Sequence, residues 1–206
     1  MFELIKKHAI KLALFAALTT AMTAFVYHLT KDKIIAQTYQ ERLALLSQVL
    51  PSEFQSTALL NQCVMIENSE LGNIPKPVYQ VLVDGKRVAA VTEVTAPDGY
   101  SGDILILVAA QQDGTILGVR TLSHKETPGL GDKIDLDISD WILQFAGFKL
   151  HAENEKTFAV KKDGGTIDQF AGATITPRAV VNAIKRAVAV IQNLDDDLSM
   201  LPKCNY

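Results

Sequence analysis

Three features of the sequence predict an α+β fold, in which one amino-terminal membrane-spanning helix precedes a single domain whose largely antiparallel sheet is flanked by helices. Residues Ile10 to Leu29 form an apolar run that, at ~1.5 Å per helical residue, spans roughly 30 Å, the thickness of a bilayer core. Asp84-Gly85 and Asp113-Gly114 each lie between β-branched runs, the short-range signal of a β-hairpin. Beyond Pro177, the side chains of Val180, Val181, Ile184, Val188 and Ile191 fall on one face of a helix. A chain of 206 residues, 48% of them hydrophobic, has room for one compact domain plus a membrane element, but not for two large domains.

Lys6, Lys7 and Lys11 stand at the head of the apolar run, while Lys31 and Lys33 follow it with Asp32 between them. The positive-inside rule therefore favours a cytoplasmic amino terminus. A cleaved signal peptide is the competing reading, but no clean Ala-x-Ala site follows the run. The stretch through Lys33 holds five of the 20 Lys and Arg but only two of the 23 acids, leaving an acidic body under a net charge of -3. With no basic stripe to neutralise phosphates, nucleic-acid binding is not expected. Next, Ile35, Tyr39, Leu43, Leu46 and Leu50 recur at helical spacing up to Pro51, as in an amphipathic helix. Expected boundaries are residues 1–9 before the membrane, 10–29 within it, 30–51 as a juxtamembrane helix and 52–206 as the domain. Cys63 and Cys204 are the only cysteines, and an oxidising compartment would permit a disulfide that the sequence alone does not establish.

The hairpin strands are read as Val78 to Val83 with Arg87 to Thr95, then Ile104 to Ala109 with Thr115 to Leu122. Pro97 to Gly102 is a turn-rich connection able to bring backbone close to a ligand. Ser139 is suited to cap a short helix burying Trp141, Ile142 and Phe145, with Trp141 read as core. Phe158 to Val160 reads as a further strand, Lys161 to Gly165 as a turn, and Asp195 to Asp197 as a solvated end.

Chemistry is concentrated in two loops. The stretch Asp168 to Arg178 reads Asp-Gln-Phe-Ala-Gly-Ala-Thr-Ile-Thr-Pro-Arg. Gly172 and Ala173 leave the hydroxyl of Thr174 sterically open, and Thr176 with Pro177 has the pattern of an N-cap and first helical position. Such a helix end stabilises a phosphate through unpaired N–H groups and a partial positive charge. Helix capping alone is the plainer reading, although it leaves the small residues unexplained. The other loop, His124 to Lys133, contains Glu126-Thr127-Pro128-Gly129-Leu130-Gly131, where Pro and Gly exclude a regular helix and let backbone approach a flat or anionic ligand.

Asp168, Gly172, Ala173 and Thr174 resemble the flavinylation motif Asp-x-x-Ser/Thr-Gly-Ala-Ser/Thr of FMN-binding domains in bacterial respiratory complexes, with Ala171 where Ser or Thr is usual. Glu126 to Gly131 resembles the second signature of that family, and the two occur in the family's order. The whole pattern is similar to the G-subunit family of the Rnf (Rsx) electron-transport complexes, related to the C subunit of Na+-translocating NADH:quinone reductase. This resemblance implies FMN joined to Thr174 by a phosphoester, attached by a separate flavin transferase that draws on FAD. Gly172, Ala173 and the N–H groups near Thr176 would line the phosphate end, while Thr127, Gly129, Leu130 and Gly131 approach the ring. Lys133 near the ring edge and Asp168 as an orienting group are further expectations, each with a bland alternative: a solvated lysine and a turn residue. His124 reads as a strand-end side chain.

By the same resemblance, the chain would be an inner-membrane electron carrier with a periplasmic domain. It would work beside other subunits that couple electron transfer to ion movement, in a complex also linked to keeping the sensor SoxR reduced. A membrane-anchored scaffold or assembly subunit is the main alternative. A hydrolase or nucleotide-binding enzyme is the weakest reading, since no Gly-x-Ser-x-Gly, phosphate loop or metal-ligand spacing is present.

Overall fold

A computed structural model describes residues 2–55, 57–151 and 153–204. Helix α1 runs unbroken over Phe2–Val49, so no gap separates the apolar run from the amphipathic stretch after it. Within it, Ile5–Lys31 is long and apolar enough to cross a membrane. The large side chains of that span stand exposed, including Leu18 at 67% and Met22 at 70%. Among the described residues of this first unit, 2–42, nothing covers them. The side chain of Ile35, first in the expected amphipathic stripe, lies outside the described residues.

From Leu43 onward the chain forms a second unit around a five-stranded antiparallel meander. Its strands are β1 (Cys63–Ile66), β2 (Lys76–Val83), β3 (Lys86–Ala96), β4 (Ile104–Gln111) and β5 (Ile116–Ser123), hydrogen-bonded in that order. The β2–β3 hairpin closes through Asp84 at φ 51° and Gly85 at φ 76°, the paired positive values of a two-residue turn whose twist matches the strands. Strand β1 was not anticipated from the sequence. Conversely, Phe158 to Val160 is no strand, for Val160 makes only an isolated bridge to Ile167. Phe158 is apolar because it is fully buried, with its ring 4.8 Å from that of Phe148 and 5.9 Å from that of Phe145.

One sheet face is covered by α2 (Ile175–Gln192). Val180, Val181, Ile184, Val188 and Ile191 are all buried, in a core shared with Val78, Val94, Ile106 and Val119. At about 1.5 to 3 kcal/mol per fully buried large aliphatic side chain, this stripe is a principal tie between helix and sheet. The alternate residues of the strands, among them Tyr79, Val91 and Leu107, face the other way and are also buried. There the last turn of α1, with Leu46 and Val49, and Leu50 just after it close the layer. Gly118 on β5 lets the backbone of Val49 pass close, since a Cβ there would stand 2.6 Å from its carbonyl oxygen. Cys63 and Cys204 form a disulfide, a question the sequence left open.

Candidate functional site

The stretch around Thr174 is held from behind by the aromatic core. A 3-10 helix spans Asp140–Phe145, and Ser139 Oγ accepts from the Trp141 N–H at 3.2 Å, the cap its sequence suggested. Trp141 packs edge-on against Phe145 and Phe170 at 5.1 and 5.0 Å, and its indole N–H donates to the carbonyl of Asp168 at 2.8 Å. Phe170 is thereby fixed, and the chain reverses over Phe170–Ala173 through an Ala173 N–H bond to the Phe170 carbonyl at 3.2 Å. Gly172 occupies the third turn position at φ 80°, where a type II turn demands a residue tolerant of positive φ. The turn delivers Thr174, half-buried, to the head of α2.

Helix α2 begins at Ile175, one residue before the expected cap. Thr174 is the flanking residue, with no capping hydrogen bond from its side chain. Thr176, a residue 1% exposed, lies inside the first turn, where its hydroxyl donates to Glu126 Oε2 at 2.5 Å. The expectation that Thr176 caps the helix is therefore corrected: its hydroxyl is taken by a carboxylate 50 residues away. Pro177 is tolerated because first-turn N–H groups have no partner inside the helix. Among the described residues, no hydrogen bond uses the N–H of Thr174, Ile175 or Thr176.

Facing this turn, the Thr127 carbonyl accepts from the N–H groups of Leu130 and Gly131, both at 3.1 Å, folding the Pro-Gly string into a compact loop. Together the segments bound a cleft of about 300 Å³. Seven of the eight expected contact residues line it: Thr127, Leu130 and Gly131 on one side, Gly172, Ala173, Thr174 and Thr176 on the other. Gly129 does not. Its N–H is turned away to Asp132 Oδ2 at 2.9 Å. Lys133, half-buried, is likewise absent from the lining.

Sequence reasoning did not single out Glu126, Tyr100 or Ile175 as lining residues. Tyr100 at 68% exposure, Leu130 at 43% and Ile175 at 44% give the cleft an apolar rim. Glu126 is buried at 5%. Its Oε1 accepts from the Ser101 N–H at 3.0 Å, so one carboxylate joins the 97–102 connection, the Pro-Gly loop and α2. His124 supports it from the side, accepting the Glu126 N–H on Nδ1 at 3.1 Å. The only sequence hint of Glu126 was its place at the head of the Thr-Pro-Gly string.

Charges next to the flavinylation-like stretch are paired off. Arg178 donates to both carboxylate oxygens of Asp163, at 2.5 and 2.7 Å, which holds that carboxyl below its ordinary range and raises the guanidinium. Asp168 pairs with Lys161 at 2.5 Å in an exposed contact. A flat ring bearing a phosphate suits this arrangement: apolar side chains stand unburied at the rim, small residues line the floor, and an unengaged hydroxyl lies beside free helix N–H groups.

The FMN-binding domain family matches residues 99–189, and the RnfG N-terminal region matches residues 1–49. The G subunit of the ion-translocating oxidoreductase complex of Escherichia coli strain K12 is 53% identical over 204 residues, covering 99% of each chain. Its namesake from Yersinia pestis is 49% identical over 205 residues, covering 99% of this chain and 98% of the relative.

Proposed function

This chain belongs to the G-subunit family of ion-translocating oxidoreductase complexes, and from that membership we propose that it carries FMN as a phosphoester on Thr174 and passes electrons within such a complex. The single observation that carries the covalent reading is the state of Thr174: it lines the cleft, makes no capping bond and sits beside unpartnered N–H groups. A flavin transferase would join Thr174 Oγ to the FMN phosphorus of FAD as the pyrophosphate bond breaks, the hydroxyl proton and AMP leaving together. Bound there, the flavin supplies the redox chemistry.

The chain's own residues hold and shield. Gly131, Gly172 and Ala173 keep side-chain bulk out of the floor, and Leu130, Tyr100 and Ile175 supply apolar surface around a ring. Asp168, tied to Lys161 on the exposed side, is available to the transferase rather than to the cleft. The lysine asymmetry about the apolar span, and a disulfide joining Cys63 to Cys204, support an inner-membrane location with the domain in the periplasm. Other subunits of the complex are its partners, and the link to SoxR reduction follows from the complex rather than from this cleft.

Intact mass and peptide mapping across Asp168 to Arg178 test the site. Protein made with its transferase should carry one FMN on Thr174, Thr174→Ser should keep it, and Thr174→Ala should lose it while remaining folded. Covalent flavin on the Ala variant, or none on the native chain, would overturn the assignment and leave a membrane-anchored scaffold as the reading.

A further inference from the structure

We propose that Glu126 acts as a fixed negative charge at the head of α2 that makes the cleft discriminate against a free, doubly charged phosphate, so that the flavin is retained through its ester rather than through affinity for its phosphate. The inference rests on the reading of the cleft as a flavin site.

A helix N-terminus ordinarily attracts phosphate, its unpaired N–H groups and dipole favouring negative charge. Here a carboxylate of the protein already stands there. Glu126 Oε2 takes the hydroxyl of Thr176 in the first turn of α2, and Oε1 takes the Ser101 N–H, so both carboxylate oxygens accept hydrogen bonds from the protein. Its position is tightly specified. A Cβ at Gly131 would stand 2.8 Å from Oε2, so this glycine makes room for the carboxylate. No compensating cation lines the cleft among the described residues, where Glu126 is the one charged side chain. The neighbouring Arg178 and Lys161 are already engaged by Asp163 and Asp168.

The charge of the ligand then decides. A phosphate monoester carries about -1.5 to -2 near neutral pH, whereas the diester formed with Thr174 keeps about -1. Close to a buried carboxylate, the additional charge of the monoester is disfavoured more strongly than in water. Free FMN and other phosphate monoesters are thereby kept from occupying the cleft before Thr174 is modified, while the esterified product is accepted.

Full-length chain made without transferase, in detergent, should be titrated with FMN and with riboflavin, which lacks the phosphate, following quenching of flavin fluorescence. The native chain should bind FMN no more tightly than riboflavin. Glu126→Gln keeps the shape and removes the charge, and should strengthen FMN binding roughly tenfold relative to riboflavin. Glu126→Asp, which keeps the charge, should retain the native ratio. A native chain that prefers FMN, a Gln variant that still fails to bind it, or equal changes for both ligands would overturn the role of Glu126. The flavin reading itself stands or falls separately, on whether chain made with transferase carries FMN on Thr174.

Discussion

Thr174 and Thr176 stand two residues apart at one helix end, yet only Thr174 keeps its hydroxyl unengaged, because Glu126 reaches Thr176. The openness of Thr174 was legible from Gly172 and Ala173, which are local. The fate of Thr176 was not, since it depends on a residue in a loop that the sheet alone brings near. Charge pairing across the surface is equally illegible beforehand. Lys149 Nζ stands 2.6 Å from Asp113 Oδ2, and that hydrogen bond, with those from Thr115, lowers the Asp113 pKa from 3.8 to about 2. The folded-state pKa being depressed, the stabilisation is present above the unfolded value and lost as pH falls from about 4 through about 2. Both side chains are about half exposed, so solvent screening keeps the contribution below roughly 1 kcal/mol. Carboxyl NMR titration should find the low Asp113 pKa. Lys149→Ala should move it up and flatten that part of the stability profile.

At the scale of elements, the four hairpin strands and α2 were legible because turn chemistry and apolar period agree in each. Asp84-Gly85 sets one turn, and the five apolar residues of α2 all point into the core. Strand β1 escaped notice because its pairing with β2 links Cys63 to Tyr79 and Ile66 to Lys76 across an intervening loop with no tight-turn signal. The end of α1 illustrates a contact that no local pattern announces. Gly118 gives it a seat on β5, and a Cβ there would also come within 2.8 Å of Val49 Cα. Because the clash is with backbone rather than with a flexible side chain, Gly118→Ala should cost about 1 to 3 kcal/mol. A lowered urea midpoint with an unchanged slope would register it, whereas an unchanged midpoint would mean that the helix end does not bear on the strand.

For the whole molecule, the disulfide links the start of the sheet to the end of the described chain, across a sequence separation of 141 residues. The carboxy-terminal segment lies along the outer edge of β1, where Met65 donates its N–H to the Pro202 carbonyl at 2.8 Å and Val64 bridges Lys203. It thus covers backbone groups that an edge strand would otherwise present to other chains. Closing so long a loop restricts the unfolded chain, by about 4 to 5 kcal/mol in the chain-entropy account, so reduction should lower the melting temperature of the domain. The same bond tests the proposed orientation, because cytosolic thiols are kept reduced while the periplasm is oxidising. In chain taken directly from cells into alkylating agent, both cysteines should resist labelling until reductant is added, and a reporter active only outside the cytoplasm should work when fused after Tyr206. Freely labelled cysteines together with a silent reporter would reverse the orientation and put the flavin cleft on the cytoplasmic side of the membrane.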